Sequence, residues 1–251
     1  GWRGVLMGIT ILIIWRFCLN SHAEKEWSSL YTWQGLIVIF AFSINSITFT
    51  LGIQETSVMV VLTTVATMPV FATILSSFLI REVQGWASWL TIIFVMVGIA
   101  IVVSDGNNAI GQPEGSTVLG AIYGAITAFG LALVFTMARK YPNLGVVPAA
   151  AIGALFSGII GFALSAEGNI FNVPIWTVFT MGVVILPLSF TCLSLAPRYT
   201  TSATVSLVML LEMVIGPFWV WFGIGERPSM IMIFGGCIVI VVIAFHIIRT
   251  Q

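Results

Sequence analysis

One carboxylate stands near the middle of a long apolar run. Glu212 lies close to the centre of residues 200–223, and that run contains no other acidic residue. A charge at the centre of a bilayer costs at least about 2.5 kcal/mol, so such a group faces a cavity or carries a proton. We therefore predict that Glu212 couples a proton or contacts a cationic group of a substrate. The alternative is a protonated carboxyl that hydrogen-bonds a neighbouring helix.

Uncharged polar side chains in other apolar runs could line a path for a polar solute. The candidates are Ser43, Asn45, Thr64, Tyr123, Thr127 and Ser189. The amide of Asn45 needs several hydrogen-bond partners, and joining two helices would satisfy it as well as a polar cavity. The hydroxyl of Thr64 could instead donate to the carbonyl four residues earlier. Tyr123 and Thr127 share a helix face because they are four residues apart, and a helix bend at a nearby proline would explain Ser189 without substrate contact.

The residues needed for metal, nucleotide or acid–base chemistry do not occur in a usable pattern. Only two histidines are present, and we predict no metal site. No glycine-rich motif with the lysine of an ATP-binding loop occurs, so the sequence does not support ATP hydrolysis by this chain. We predict no cofactor. The cysteines, Cys18, Cys192 and Cys237, are odd in number and lack ligand spacing. We interpret them as reduced, buried thiols.

Composition places these residues in a membrane protein. Of the 251 residues, 59% are hydrophobic and only 7% are charged, and the formal net charge is zero. Soluble domains carry roughly 25% charged residues, and a nucleic-acid-binding protein needs a basic face. A soluble globule, a disordered chain and a nucleic-acid-binding protein are therefore excluded.

The apolar runs are long enough to cross a bilayer as helices. A spanning helix needs about 20 mainly apolar residues, and strands of a membrane barrel would alternate polar and apolar residues. Nine segments meet the helical pattern: 2–19, 33–52, 57–80, 86–104, 117–138, 146–165, 173–193, 200–223 and 229–248. The sequence thus predicts an all-α polytopic membrane protein.

Lysine and arginine placement predicts the orientation of these spans. If the first span runs inward, seven basic residues lie in inner connections and only Arg3 and Arg227 lie outside. Because cytoplasmic loops are enriched in Lys and Arg, this orientation is strongly preferred, with the C-terminus in the cytoplasm. The seven inner residues are Arg16, Lys25, Arg81, Arg139, Lys140, Arg198 and Arg249.

An internal repeat accompanies the spans. A shift of 144 residues lays residues 51–82 over 195–226 and brings identical residues into register, including Glu82 with Glu226. Each copy would hold five helices, an odd number, so the two copies insert in opposite orientations. The second copy begins near Thr117 with five spans, whereas the first shows four. We therefore expect a further helix before Gly1.

Three segments resemble EamA-type transporters of the drug/metabolite transporter superfamily. Residues 210–229, which run from Leu210 through Glu212 to Pro217 and on to Gly225-Glu226-Arg227-Pro228, resemble the signature of the penultimate helix. Met68-Pro69-Val70 through Arg81-Glu82 resembles the corresponding part of the first repeat, and Trp2-Arg3-Gly4 resembles the start of the second helix. Family members often carry proline directly after the glutamate, where this sequence has Met213.

The resemblance implies a ten-helix fold of two inverted five-helix EamA repeats, with nine helices present in this sequence. The first repeat would occupy residues 1–105, a connecting loop 106–116, and the second repeat 117–251. The implied activity is secondary transport of small organic metabolites such as amino acids, most often export, by alternating access around a central cavity. The implied partners are a small-molecule substrate, protons and the lipid bilayer, in a bacterial inner membrane. Neither substrate nor oligomeric state is specified.

Two other functions remain open at this point. A membrane sensor or scaffold would need neither the polar patches nor the costly glutamate. An intramembrane enzyme usually needs an acid–base or metal constellation, and here one acid stands alone in the middle of a span. We therefore expect a transporter and no enzymatic activity.

Overall fold

The computed structural model describes residues 1–18, 23–80, 86–105, 115–164, 174–199, 219, 221–223, 225 and 229–249. All the longer regular elements within these ranges are helices. They are α1 (Trp2–Cys18), α2 (Ala23–Leu30), α3 (Trp33–Glu55), α4 (Val58–Val65), α5 (Met68–Leu79), α6 (Trp86–Asp105), α7 (Thr117–Lys140), α8 (Val146–Ala163), α9 (Ile175–Phe179), a π-helical turn (Thr180–Ile185), α10 (Leu186–Tyr199) and α11 (Met230–Arg249).

Five stretches among the described residues are long and apolar enough to cross a membrane. They are Trp33–Glu55, Val58–Leu79, Thr117–Lys140, Val146–Ala163 and Ile175–Leu195. The other predicted spans at 2–19, 86–104 and 229–248 coincide with α1, α6 and α11. The predicted span 200–223 lies almost wholly outside the described residues. An all-α polytopic membrane protein is thereby confirmed.

Helix bounds in the two halves of the chain are related by the 144-residue shift. Adding 144 to the bounds of α1 gives 146–162, and α8 covers Val146–Ala163. The same addition carries α3 to 177–199, where α9, the π-helical turn and α10 together cover 175–199, and it carries α6 to 230–249, the bounds of α11. These agreements support a repeat, and the predicted division into two inverted repeats stays a prediction.

The chain forms two compact units, each made of two stretches of sequence. Unit 1 consists of Gly1–Ile47 and Leu133–Tyr199, and unit 2 of Thr48–Ala132 and Thr200–Gln251. Residues of α3 and of α7 belong to both units, so these units, which are defined by packing, are not the predicted sequence repeats.

Unit 1 is built on a close crossing of α1 and α8. A Cβ atom on Gly4 would lie 2.7 Å from the Cα of Gly158, and one on Gly158 would lie 2.6 Å from the backbone nitrogen of Val5. Small residues let membrane helices approach until their backbones touch. Along this crossing, a buried cluster joins one face of each helix: Met7, Ile11, Trp15, Val147, Ala151 and Ala154.

Unit 2 contains the mutually packed helices α6 and α11, and α4 contacts both. The start of α7 also packs closely in this unit, because Gly120 and Gly124 face Thr56 and Thr64. The glycines Gly120 and Gly124 thus allow close helix packing in unit 2.

Two expectations fail in the fold. The charged segment after α1 is predicted as a connection, but Ala23–Leu30 forms a helix and Glu26 within it is only 7% exposed. The three cysteines are free, yet all three are exposed, so the prediction of buried thiols is wrong. An apolar run marks a cysteine as compatible with lipid, and in a membrane protein that does not require burial in protein.

Candidate functional site

The apolar stretch Val58–Leu79 is interrupted in its middle. Helix α4 ends at Val65 after eight residues, and α5 begins at Met68 and continues for 12. Pro69 stands in the first turn of α5. Because proline has no N–H, the carbonyl of Val65 cannot receive the usual bond from the residue four positions later. The sequence therefore permits a break here, which we call the α4–α5 break and define as Thr63–Thr67.

Two further carbonyls at the α4–α5 break lose their regular helical partners. The N–H of Thr67 donates to the carbonyl of Thr64 at 3.1 Å instead of to Thr63. The N–H of Val70 donates to the carbonyl of Thr67 at 2.8 Å instead of to Ala66. The carbonyls of Thr63, Val65 and Ala66 are therefore released from the i to i+4 ladder.

Threonine hydroxyls cover other carbonyls of the same turn. Thr67 Oγ1 donates to the carbonyl of Thr64 at 2.7 Å, and Thr64 Oγ1 donates to the carbonyl of Val60 at 2.8 Å. Thr63, Thr64, Ala66 and Thr67 are each at most 7% exposed. The α4–α5 break thus places polar backbone and hydroxyl groups in a buried environment at mid-span.

Helix α7 packs close to α4 in unit 2 because Gly124 has no side chain at the contact. A Cβ atom on Gly124 would lie 3.0 Å from the Cβ of Thr64 and 3.2 Å from the carbonyl oxygen of Val61. One turn further along α7, Thr127 Oγ1 donates to the carbonyl of Tyr123 at 2.9 Å. Its oxygen lies 2.8 Å from Thr48 Oγ1, so the two hydroxyls share a hydrogen bond between α3 and α7.

Thr64 of α4 and the α7 residues Tyr123 and Thr127 therefore lie in the same unit, where Gly124 of α7 packs against Thr64. The hydroxyls of Thr64 and Thr127 both bond to carbonyls of their own helices, which is the structural alternative foreseen for Thr64. A hydroxyl that donates within its helix still offers its oxygen as an acceptor. Roles for these three residues in substrate binding stay predictions.

In unit 1, polar side chains of α3 join that helix to α8. Ser43 Oγ donates to the carbonyl of Gly153 at 3.1 Å, and the hydroxyl oxygens of Ser46 and Ser157 are 3.1 Å apart. Asn45 is 6% exposed. These hydrogen bonds of Ser43 and Ser46 join α3 to α8. Roles in substrate binding for Ser43 and Asn45 stay predictions.

Ser189 is exposed and follows a π-helical turn at Thr180–Ile185. The N–H of Leu186 donates to the carbonyl of Met181, five residues earlier. Pro187 comes next, so the widened turn precedes the residue that cannot donate. Thr191, one turn beyond the proline, is 6% exposed, and its hydroxyl has no hydrogen-bond partner among the described residues. The predicted irregularity at Pro187 thus takes the form of a π-helical turn.

A buried carboxylate that the sequence did not single out lies in unit 1. Trp15 Nε1 donates to Glu26 Oε2 at 2.7 Å, and the rings of Trp15 and Trp27 stack with centroids 5.6 Å apart. Ser29 Oγ donates to the backbone carbonyl of Glu26 and accepts the N–H of Gly145. Glu26 and Leu30 share a helix face, and both are buried. In the sequence, the four-residue spacing between Glu26 and Leu30 is the only sign that Glu26 is buried. Glu24 in the same segment is also acidic, so the sequence does not single out Glu26.

Glu212, the leading candidate from the sequence, lies outside the described residues. Its equivalent position under the 144-residue shift is Met68, the first residue of α5. The part of the chain equivalent to the segment around Glu212 is therefore the α4–α5 break, so the broken helix and the acidic residue correspond between the two halves.

The described helices define a polytopic, all-helical membrane protein. Residues 1–104 match the model of the EamA-like transporter family, so this part of the chain is similar to that family. The match agrees with the resemblance found in the sequence, and the apolar helices long enough to cross a bilayer make this a multi-pass membrane protein.

The fold is similar to that of a protein whose crystal structure has been solved. It aligns with 99% of this chain and 98% of its own, at 14% identity and a TM-score of 0.51. At this identity the likeness concerns the fold alone. No curated protein matches the chain.

Proposed function

We propose that this protein is a secondary transporter that exports small organic metabolites, such as amino acids or related compounds, by alternating access across a bacterial inner membrane. The observation that carries the proposal is the α4–α5 break, which interrupts an apolar membrane span within the residues that match the transporter family. A scaffold gains nothing from such a break, because released carbonyls in a buried environment are costly.

Interrupted helices are a recurrent feature of transporter binding sites. Their unwound backbone and half-helix ends present polar groups near the bilayer midplane, where a regular helix would present only side chains. The α4–α5 break has this arrangement, with hydroxyls of Thr64 and Thr67 on the carbonyls beside it. We place the substrate site at this break, with Thr127 and Tyr123 of α7 supplying further polar contacts.

The transport cycle would use the two halves of the chain as inverted repeats. The agreement of helix bounds after a 144-residue shift supports this reading. In such transporters one bundle rocks against the other around a fixed site. Glu212 would carry the coupled proton or contact an amine. Met68 stands at the equivalent position, so that role belongs to one repeat only.

The proposal is tested by flux in proteoliposomes. The purified protein is reconstituted, and a mixed pool of amino acids, amines, sugars and nucleosides is followed by mass spectrometry with and without a pH gradient. The parent is compared with Glu212→Gln, and with Glu114→Gln as a matched control in the predicted loop 106–116. We expect selective movement of one solute class, driven by the gradient, lost in Glu212→Gln and kept in Glu114→Gln.

The other outcomes discriminate between functions. Movement that persists in Glu212→Gln would leave the transporter and assign Glu212 to a structural role. If folded protein moves no solute under any condition, the transporter proposal is wrong, and a sensor or scaffold becomes the better account.

A further inference from the structure

Helix α2 closes one end of unit 1, where it contacts α1 and the connection between α7 and α8. The indole N–H of Trp15, near the C-terminus of α1, donates to Glu26 Oε2 at 2.7 Å. On another side of α2, the N–H of Gly145, just before α8, donates to Ser29 Oγ at 3.0 Å. These two contacts fasten α2 across the end of the unit.

The same end of unit 1 is where three membrane spans begin or end. The span Trp33–Glu55 begins three residues after α2, the span Thr117–Lys140 ends beside the connection that α2 contacts, and the span Val146–Ala163 begins directly after that connection. Spanning helices end where the hydrocarbon core meets the headgroup layer. Helix α2 therefore lies at the depth of the lipid headgroups.

Helix α2 turns its buried carboxylate toward the protein and a basic, aromatic face outward. Glu26 and Leu30 are buried, whereas Lys25 is exposed and Trp27 is 38% exposed. The ring of Trp27 stacks on that of Trp15 with centroids 5.6 Å apart, so α1 fixes its position. The face that α2 leaves uncovered is therefore basic and aromatic.

Further exposed basic and aromatic residues border α2. Arg16 follows Trp15 at the end of α1 and is exposed. The exposed Lys140 lies with its Nζ 5.5 Å from the centroid of the Tyr141 ring, and that ring packs against the buried cluster that contains Leu30 of α2. Together these side chains form what we call the basic–aromatic surface: Arg16, Lys25, Trp27, Tyr31, Trp33 and Lys140.

The charge and the depth of the basic–aromatic surface favour anionic lipid headgroups as its partner. Basic residues outnumber acidic ones at this end, and the carboxylate of Glu26 is buried against Trp15. Exposed Trp and Tyr rings are typical of the headgroup layer, and each basic residue near an anionic membrane surface strengthens binding about fivefold. An acidic soluble protein would match the charge but would not explain the aromatic rings at this depth. The residues counted are Arg16, Lys25, Arg139 and Lys140 against Glu24 and Glu26.

We propose that the basic–aromatic surface binds the headgroups of anionic phospholipids in the leaflet on the predicted cytoplasmic side. The basic side chains contact lipid phosphates, and the aromatic rings lie among the glycerol and ester groups. Bound lipid holds α2 against unit 1. The inference does not depend on the proposed function, because it concerns lipid contact and not the movement of a solute.

The test measures the affinity of the purified protein, in neutral detergent micelles, for fluorescent phosphatidylglycerol and for phosphatidylcholine with the same fluorophore. We expect phosphatidylglycerol to bind at least about tenfold more tightly, since several basic residues contribute. This preference should shrink at about 1 M NaCl, which screens exposed charges. Equal affinities for the two lipids at low salt would overturn the proposal, and so would displacement of the lipid by free glycerol phosphate, which would indicate a site for small anions.

A triple variant locates the binding. Arg16→Gln, Lys25→Gln and Lys140→Gln in one chain should reduce the preference for phosphatidylglycerol to less than about threefold. Replacing the same residues by the other basic type, as Arg16→Lys, Lys25→Arg and Lys140→Arg, should keep the preference. An undiminished preference in the first variant, or a loss in the second, would contradict a surface that acts through its charge.

A matched control removes the same charge elsewhere. Arg81→Gln, Arg198→Gln and Arg249→Gln in one chain neutralise three other basic residues of the predicted inner side. This control should keep the preference of the parent, and unfolding temperatures verify that every variant is folded. Equal losses in the control and in the triple variant of the basic–aromatic surface would show that total charge, and not this surface, attracts the lipid, and the proposal would be wrong.

Discussion

The spans Val58–Leu79 and Ile175–Leu195 each contain a proline beyond their first turn, and they accommodate the missing backbone donor in different ways. In unit 2, the helix stops before Pro69 and restarts, and its threonine hydroxyls bond to carbonyls beside the gap. In unit 1, the chain stays helical and widens into a π-helical turn before Pro187.

The side chains near each proline account for the difference. At the α4–α5 break, the hydroxyl and the N–H of Thr67 both donate to the carbonyl of Thr64, and these bonds stabilise the tightened turn. Near Pro187 the buried positions Gly182, Pro187 and Thr191 are spaced five and then four residues apart. A π-helical turn adds the one residue that keeps all three on the packed face. The α4–α5 break releases backbone carbonyls from the helical ladder, whereas the π-helical turn preserves side-chain packing. We therefore assign a function to the α4–α5 break.

The packing of α7 against the span Val58–Leu79 should be the feature most sensitive to substitution. In Gly124→Leu, the new side chain would meet the Cβ of Thr64 and the carbonyl of Val61. Overpacking of this kind costs about 3 kcal/mol, because backbone has to move. We expect a matching loss in the free energy of unfolding, measured by denaturation in mixed micelles.

Gly223→Leu is the matched control, because a Cβ atom there would meet nothing within 4 Å. It should change the free energy of unfolding by less than about 0.5 kcal/mol, as surface substitutions do. Equal losses in the two variants would show that Gly124 is not a close contact.

The hydroxyl of Thr67 should stabilise the α4–α5 break. Thr67→Val removes the donor that bonds to the carbonyl of Thr64 at 2.7 Å and leaves the shape of the side chain almost unchanged. We expect a loss of about 1 kcal/mol in unfolding free energy, the usual net value of one hydrogen bond. A stabilised Thr67→Val would mean that this bond does not support the α4–α5 break.

Thr191→Val makes the opposite prediction at the π-helical span. The buried hydroxyl of Thr191 has no partner among the described residues, so the change removes an unsatisfied polar group. The variant should gain about 0.5–1 kcal/mol in unfolding free energy, since an apolar group of equal shape avoids the desolvation penalty. A loss of similar size would reveal a partner for this hydroxyl and weaken the contrast with Thr67.

Much of this fold was predictable because apolar length and repeat spacing act over whole helices. The bounds of α6 and α11 coincide after the 144-residue shift, and the spans at 33–52 and 117–138 match α3 and α7 within three residues at each end. The position of each helix depends on many residues at once, so a single unusual side chain does not change the prediction.

The features that single residues decide were harder to predict. Pro69 and Pro187 both interrupt apolar runs, and the sequence does not show that Gly182, Pro187 and Thr191 are all buried, which is what the π-helical turn allows. Glu26 was read as part of a charged connection because nothing local shows that Trp15, eleven residues earlier, donates to it. Ser43 and Thr127 are candidates from the sequence, but their partners Gly153 and Thr48 lie far away in sequence.

The measurement that most directly tests a functional break in α4–α5 is the initial rate of solute flux in Pro69→Ala against Pro187→Ala. Both variants return a backbone N–H to a membrane span, and folding is verified by their unfolding temperatures. Our account predicts a loss of about tenfold or more in Pro69→Ala, equivalent to about 1.4 kcal/mol in the barrier, and a rate close to that of the parent in Pro187→Ala. Parental flux in a folded Pro69→Ala protein would contradict the account.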